Sequence, residues 1–187
     1  MDNTITVAII AASVSVIGWL VNHILSEQSE RNKAKRQALL SHIEKQLEEL
    51  YGPLFFLMHE GDSSFKDFLE TVGRNYVFVN GEIREEDLHA WLFWVDNDLM
   101  PRNHAIQKLL SSKAHLIDAS RMPESFLAFL DHYNSWRVSH LRWKEEGVPY
   151  RWHSRTNWPR EFHRDVVKTY ERLKRRQEEL IGILADS

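Results

Sequence analysis

Nine basic side chains fall between residues 151 and 176 (Arg151, Arg155, Arg160, Arg164, Lys168, Arg172, Lys174, Arg175 and Arg176), against only three acids, Glu161, Asp165 and Glu171. Trp152, His153, Trp158 and His163 are interleaved with them. Guanidinium groups grip phosphate in a two-pronged fork and indole rings stack on bases, so the segment has the chemistry to hold an anionic lipid headgroup, a nucleotide or single-stranded RNA. The expected contacts are Arg151, Trp152, Arg155, Trp158, Arg160 and Arg164. Four-residue steps drift by about 40° on a helix of 3.6 residues per turn, so the cations from Arg160 onward wind round the helix instead of lining one face. A solvated basic surface is the competing expectation.

The other candidate constellations are thinner. Glu86 and His89 form an E-x-x-H step that puts both side chains on one helical face, but a di-iron bundle needs two such steps and two further glutamates. His59-Glu60 starts like a zinc-protease motif, yet Ser63 stands where the second histidine belongs. The seven glycines are scattered singly, with no G-x-S-x-G, phosphate loop or G-x-G-x-x-G. With no cysteine, thiolate metal sites, disulfides and thiol nucleophiles are excluded. Neither a metal nor a cofactor is expected, and the reading leans away from an enzyme.

Positioning begins with the first residues. Ile5 to Leu25 reads ITVAIIAASVSVIGWLVNHIL, without a formal charge at neutral pH and flanked by Asp2 and Glu27. As a helix it would be about 31 Å long, enough for the roughly 30 Å of a bilayer's hydrocarbon. Arg31, Lys33, Lys35 and Arg36 follow it, and no basic side chain precedes it. By the positive-inside rule the expected protein is a single-pass one in the bacterial inner membrane, N-terminus outside and C-terminal domain cytoplasmic. Thr4, Ala8, Ala11, Ser15, Gly18 and Asn22 recur at alternating steps of four and three, a heptad seam of small or polar residues. Small residues let helices approach in lipid, and Ser, Thr and Asn can bond across the contact, so a homo-oligomer is expected.

The remainder is expected to be all-α. An N-terminal transmembrane helix (1–25) continues as a juxtamembrane helix (26–51) into a compact helical bundle (52–187). Leu39, Ile43, Leu47, Leu50 and Leu54 give the first stripe, and Gly52-Pro53 should punctuate it. A second helix from Pro53 to about Val72 could break at Gly61-Asp62, and NYVFVNGEI carries the one hairpin signal. Helices are then expected from Glu82 to about Asn97, with Leu88, Trp91, Leu92, Val95 and Leu99 on one face, and from Pro101 to about Lys113. Two more are expected, one after Met122-Pro123 displaying Phe126, Leu127, Leu130, Tyr133, Trp136 and Leu141, and one after Pro159 with Phe162, Val166, Tyr170, Leu173, Leu180, Ile181 and Leu184 as its core stripe. Trp91, Trp94 and Trp136 are expected in the core. The net charge of -3 gives no global pull toward polyanions, so any electrostatic partner must be bound locally.

The stretches LEELYGPL (Leu47 to Leu54), Ala90 to Ile117 and MPESF (Met122 to Phe126) resemble a set of uncharacterised bacterial proteins that commonly carry one N-terminal membrane helix. The resemblance covers about half the chain and implies the architecture, without site residues. Arg84 and His89 are spaced R-x4-H, which resembles the RNase signature of HEPN domains; that resemblance implies catalytic roles for Arg84 and His89. With 15 Arg and 10 His, roughly two R-x(4 to 6)-H spacings arise by chance, and Arg36 with His42 is the second. The layout is also similar to HEPN-like membrane accessory proteins of RNA-targeting CRISPR systems. The leading expectation is a membrane-anchored, self-associating protein whose helical domain binds an anionic ligand, as in a bacterial stress or phage-defence effector. The alternatives are a membrane-tethered HEPN-like RNase and a scaffold recruiting a protein partner.

Overall fold

Two prolines, Pro53 and Pro101, lie inside long apolar-periodic stretches where each should stop a helix, because proline lacks an N–H and its ring collides with the carbonyl four residues back. Neither stops one. The structure, a computed structural model, describes residues 3–186 and, at the start of the first helix, the side chains of residues 13, 15 and 17 onward. Helix α1 (Asn3–Gln46) passes through a π-helical turn, Leu47–Tyr51, into α2 (Gly52–Thr71). Gly52 N–H donates to the Leu47 carbonyl, five residues back. Helix α3 (Glu85–Trp94) likewise passes through a π turn, Val95–Leu99, into α4 (Met100–Ser112), and Met100 N–H donates to the Val95 carbonyl. Each π turn widens the helix by one residue just before the proline, which then sits in the first turn of the next α segment. That is the helical position where a missing N–H costs least.

Gly52 is required by this arrangement. A Cβ there would lie 2.6 Å from the Leu47 carbonyl oxygen, a distance that no side chain tolerates. Gly61 does not break α2 either. Arg102 packs over it, with Nη1 3.1 Å from where a Cβ would be.

Alpha-carbon contacts divide the chain into two units, 44–175 and 1–43 together with 176–187. In the first, α2 is followed at Gly73 by a φ of 67° that lets the chain reverse, while Arg74 N–H returns to the Leu69 carbonyl and Gly73 N–H to Glu70. A hairpin follows. Strands β1 (Phe78–Val79) and β2 (Glu82–Ile83) pair antiparallel, Phe78 opposite Ile83, around Asn80-Gly81 at φ 53° and 80°. Two positive φ angles are what a tight two-residue hairpin turn demands, and Asn-Gly is the pair that supplies them. The expected helix from Glu82 therefore starts only at Glu85, since Glu82 and Ile83 are held by the hairpin and Arg84 is extended.

Helix α5 (Glu124–Glu146) follows a 3₁₀ turn, Ala114–Leu116, and a loop carries the chain from Gly147 to α6 (Arg160–Ala185). The face of α5 that turns inward is Phe126, Phe129, Tyr133, Trp136 and His140, at steps of three and four, leaving the expected Leu127 and Leu141 exposed. Phe129 stacks on Phe162 of α6 at 4.7 Å, and Phe126 meets the same ring edge-on at 5.0 Å. Beside them, Phe68, Val77, Trp91, Val95 and Trp136 form one buried cluster. In the other unit Ile43 and Leu180 are buried, while every residue from 17 to 32 of α1 is exposed. Among the described residues no helix is long and apolar enough to cross a membrane. Much of the Ile5 to Leu25 run falls outside the described side chains.

Replacing Gly52 by Ala should destabilise the chain by about 1–3 kcal/mol through overpacking against Leu47. Gly182→Ala, inside α6 with open space around it, should instead be neutral or stabilise by about 0.5–1 kcal/mol. Thermal unfolding of the two variants side by side checks the contrast.

Candidate functional site

The loop 147–159 has no regular structure, yet it runs against aromatic packing, so its buried polar groups need individual partners. They have them. The Trp91 indole N–H donates to the Trp152 carbonyl at 2.7 Å, and His132 Nδ1–H donates to the Thr156 carbonyl at 2.6 Å. Ser154 is buried; its hydroxyl donates to the His132 carbonyl at 2.9 Å and accepts from Thr156 N–H at 3.2 Å. With that single proton committed, Ser135 is the donor in the 2.6 Å contact between the two serine hydroxyls. His153 lies between the Ser154 and Gly81 carbonyls and meets Phe78 edge-on.

At the base of the loop stands a cluster drawn from three segments. The Tyr150 hydroxyl bonds His140 Nδ1, His140 Nε2 bonds Asp96 at 2.7 Å, and Lys144 Nζ reaches the same Asp96 oxygen at 2.7 Å. Asp96 belongs to the second π turn, His140 and Lys144 to α5. Burial alone would raise the Asp96 pKa, but the bonds from Lys144 and His140 outweigh it and hold the carboxyl below its ordinary value. Burial pushes the Tyr150 phenol up, so it remains a protonated donor. Burial also lowers the His132 pKa, against the opposing pull of the Thr156 carbonyl, keeping its ring neutral. None of these residues was marked as a site by the sequence. Asp96 and His140 are 44 positions apart, with no spacing to betray them.

Of the six expected anion contacts, the structure separates two from the rest. Trp152 adopts φ 66° and turns its ring onto Tyr150 and Trp143, at 4.9 and 5.1 Å, as part of the packing. Arg164 is ion-paired with Glu161. The other four remain available. Arg151, Arg155 and Arg160 are exposed and, among the described residues, carry no ion pair. Trp158 is 37% exposed, its ring set edge-to-face against Phe129, His132 and Phe162. Further along α6, Arg172 is paired with Asp118 at 2.5 Å and Arg176 with Glu179 at 2.9 Å.

Arg84 and His89 are both exposed. Arg84 precedes the first residue of α3 and pairs with Glu86 at 3.0 Å, an acid that Arg74 also engages at 2.9 Å. Of the seam, Ser15, Gly18 and Asn22 are exposed on α1; the side chains of Thr4, Ala8 and Ala11 lie outside the described residues. Among the described residues no group of three or more His, Asp or Glu is placed to hold a metal ion. Comparison with protein-family models, with curated proteins and with solved structures finds no match.

The lowered pKa of His132 has a sign. Above the unfolded value of about 6.5 the ring is neutral in both states and contributes no pH dependence. Below it the unfolded chain takes up a proton that the folded chain resists, so stability declines as pH falls from there toward the folded value. His132→Asn retains an N–H donor and removes the titration. Chemical denaturation across pH 5 to 8 should show a shallower acid limb for this variant than for wild type.

Proposed function

We propose that this chain is a single-pass protein of the bacterial inner membrane that self-associates through α1 and binds an anionic ligand on its cytoplasmic helical domain. The observation that carries the reading is the surface of α1. Ile17, Trp19, Leu20, Val21, Ile24 and Leu25 are all between 44% and 65% exposed. At 3.6 residues per turn all but Trp19 fall within an arc of about 140°, and the exposed Ser15, Gly18 and Asn22 lie outside it. An exposed apolar face of this size suits a helix solvated by lipid on that side, with its small and polar side left to meet a second copy. The apolar sequence from Ile5 supplies the remaining length, and Arg31, Lys33, Lys35 and Arg36 supply the orientation.

The anionic ligand is assigned to Arg151, Arg155 and Arg160 beside Trp158, because among the described residues these guanidinium groups have no acid to neutralise them. A role as a stress or phage-defence effector is consistent with this build, by analogy with other small membrane proteins.

Topology is tested by fusing a reporter that works only in the cytoplasm after Ser187 and by washing membranes with alkaline carbonate. The reporter should be active and the chain should stay in the membrane pellet; release into the wash sinks the anchor. Self-association is tested on the seam. Gly18→Leu and Ala11→Leu should force the helices apart and lower the crosslinked oligomer, while Val14→Leu, off the seam, should leave it unchanged, since close packing and interhelical bonds are what hold helices together in lipid. Equal stoichiometry for all three would leave the seam as a plain lipid-facing surface.

A further inference from the structure

We propose that the ligand of the 151–160 segment is a single-stranded oligonucleotide, with a base stacked on Trp158 and its phosphates held by Arg155 and Arg160, which rests on the anionic-ligand reading above. Trp158, 37% exposed, is more open to solvent than the half-buried Trp152 and His153 of this segment, and it is not loose. Phe129, His132 and Phe162 meet it at 5.7, 5.5 and 6.3 Å, all steeply tilted, which fixes the plane of the indole. The chain just before it is pinned as well, by the bond from His132 to the Thr156 carbonyl and from Thr156 N–H to Ser154. A rigid platform loses little freedom when a base settles on it.

The residues round the ring distinguish a base from a lipid chain. Arg155, Thr156, Asn157 and Arg160 are all exposed, and each is polar or cationic. A surface that enters a bilayer needs apolar neighbours to follow the indole into the acyl region. None of these four provides one. The two arginines flank the ring in sequence, three residues before it and two after, so a strand crossing Trp158 meets a guanidinium on each side, and Arg151 extends the positive track. The Asn157 amide, donor and acceptor together, can bond a base edge. Of the acids nearby, Glu161 is taken by Arg164 and Asp165 accepts from Ser125 at 2.6 Å, and neither is paired with Arg155 or Arg160. His132 stays neutral and serves as scaffold.

The test uses the full chain in nanodiscs of zwitterionic lipid and reads fluorescence anisotropy of a labelled uridine oligomer and of an abasic oligomer of equal length and charge. Stacking on an aromatic side chain is worth about 1–3 kcal/mol per base, so the uridine oligomer should bind at least about fivefold more tightly than the abasic one. Trp158→Ala should erase that difference and leave abasic binding unchanged, Trp158→Phe should keep most of it, and Arg155→Glu with Arg160→Glu should abolish binding of both. The comparison of the two oligomers on the wild-type chain needs no variant, so a folding defect in Trp158→Ala cannot mask the answer. Equal affinity for the two oligomers overturns the base platform while leaving a charge-only anion site. Tighter binding to phosphatidylglycerol vesicles than to the uridine oligomer overturns it in favour of a lipid headgroup. A wild-type chain that binds neither oligomer nor vesicles overturns both the oligonucleotide and the anionic site beneath it.

Discussion

A loop without regular structure can lie against an aromatic core only if every backbone group it buries is bonded to something. That constraint organises the 44–175 unit. The loop 147–159 has no ladder to satisfy its carbonyls, so side chains from the helices do it: Trp91 from α3 and His132 from α5, with the Ser135 and Ser154 hydroxyls between. Each such bond contributes only about 0.5–1.5 kcal/mol net, but removing one partner exposes a larger desolvation cost. The same bonds that make burial tolerable also fix where Arg151, Arg155 and Trp158 emerge.

The π turns belong to the same design at the level of the helix backbone. Each proline would remove one backbone bond and drive its ring into a carbonyl. Inserting one residue before the proline converts a clash into a wide turn, and the helix continues. The cost is that a π turn presents its side chains out of step with the helices around it. In the second turn this is used: Asp96 is delivered to His140 and Lys144, while Asp98 takes Ser64 at 2.7 Å and is engaged by Arg102. In the first, Tyr51 is buried and its hydroxyl accepts from Asp118 N–H at 2.9 Å.

Charge is distributed unevenly between pairs and free groups. Three cations of α6 past its first residues are matched: Arg164, Arg172 and Arg176 each have an acid. Exposed pairs of this kind contribute little to stability. Their effect is on recognition, since a matched cation has less to offer a phosphate. Arg151, Arg155 and Arg160, without an ion pair among the described residues, lie on the loop and at the helix start, where the chain is held by its core bonds and not by its own charges.

By itself the sequence determined the helical class, the Asn80-Gly81 hairpin, the burial of Trp91 and Trp136, and most of the apolar stripe of α6, because periodicity and turn chemistry are local properties. It placed Ile43, Leu47, Leu50 and Leu54 inside for the same reason. It rightly started helices at Pro53 and Pro101 but read a break before each, since whether a proline stops a helix or is absorbed by a π turn depends on what the flanking side chains can bury. It chose Leu127 and Leu141 over Phe129 and His140 on α5, since hydrophobicity ranks leucine above histidine. Only the tertiary structure supplied Asp96 and Tyr150, the partners that let His140 be buried. Among the cations, too, only the fold decided that Arg164 is paired while Arg151, Arg155 and Arg160 carry no ion pair among the described residues, because an ion pair depends on positions in space that spacing along the chain does not encode.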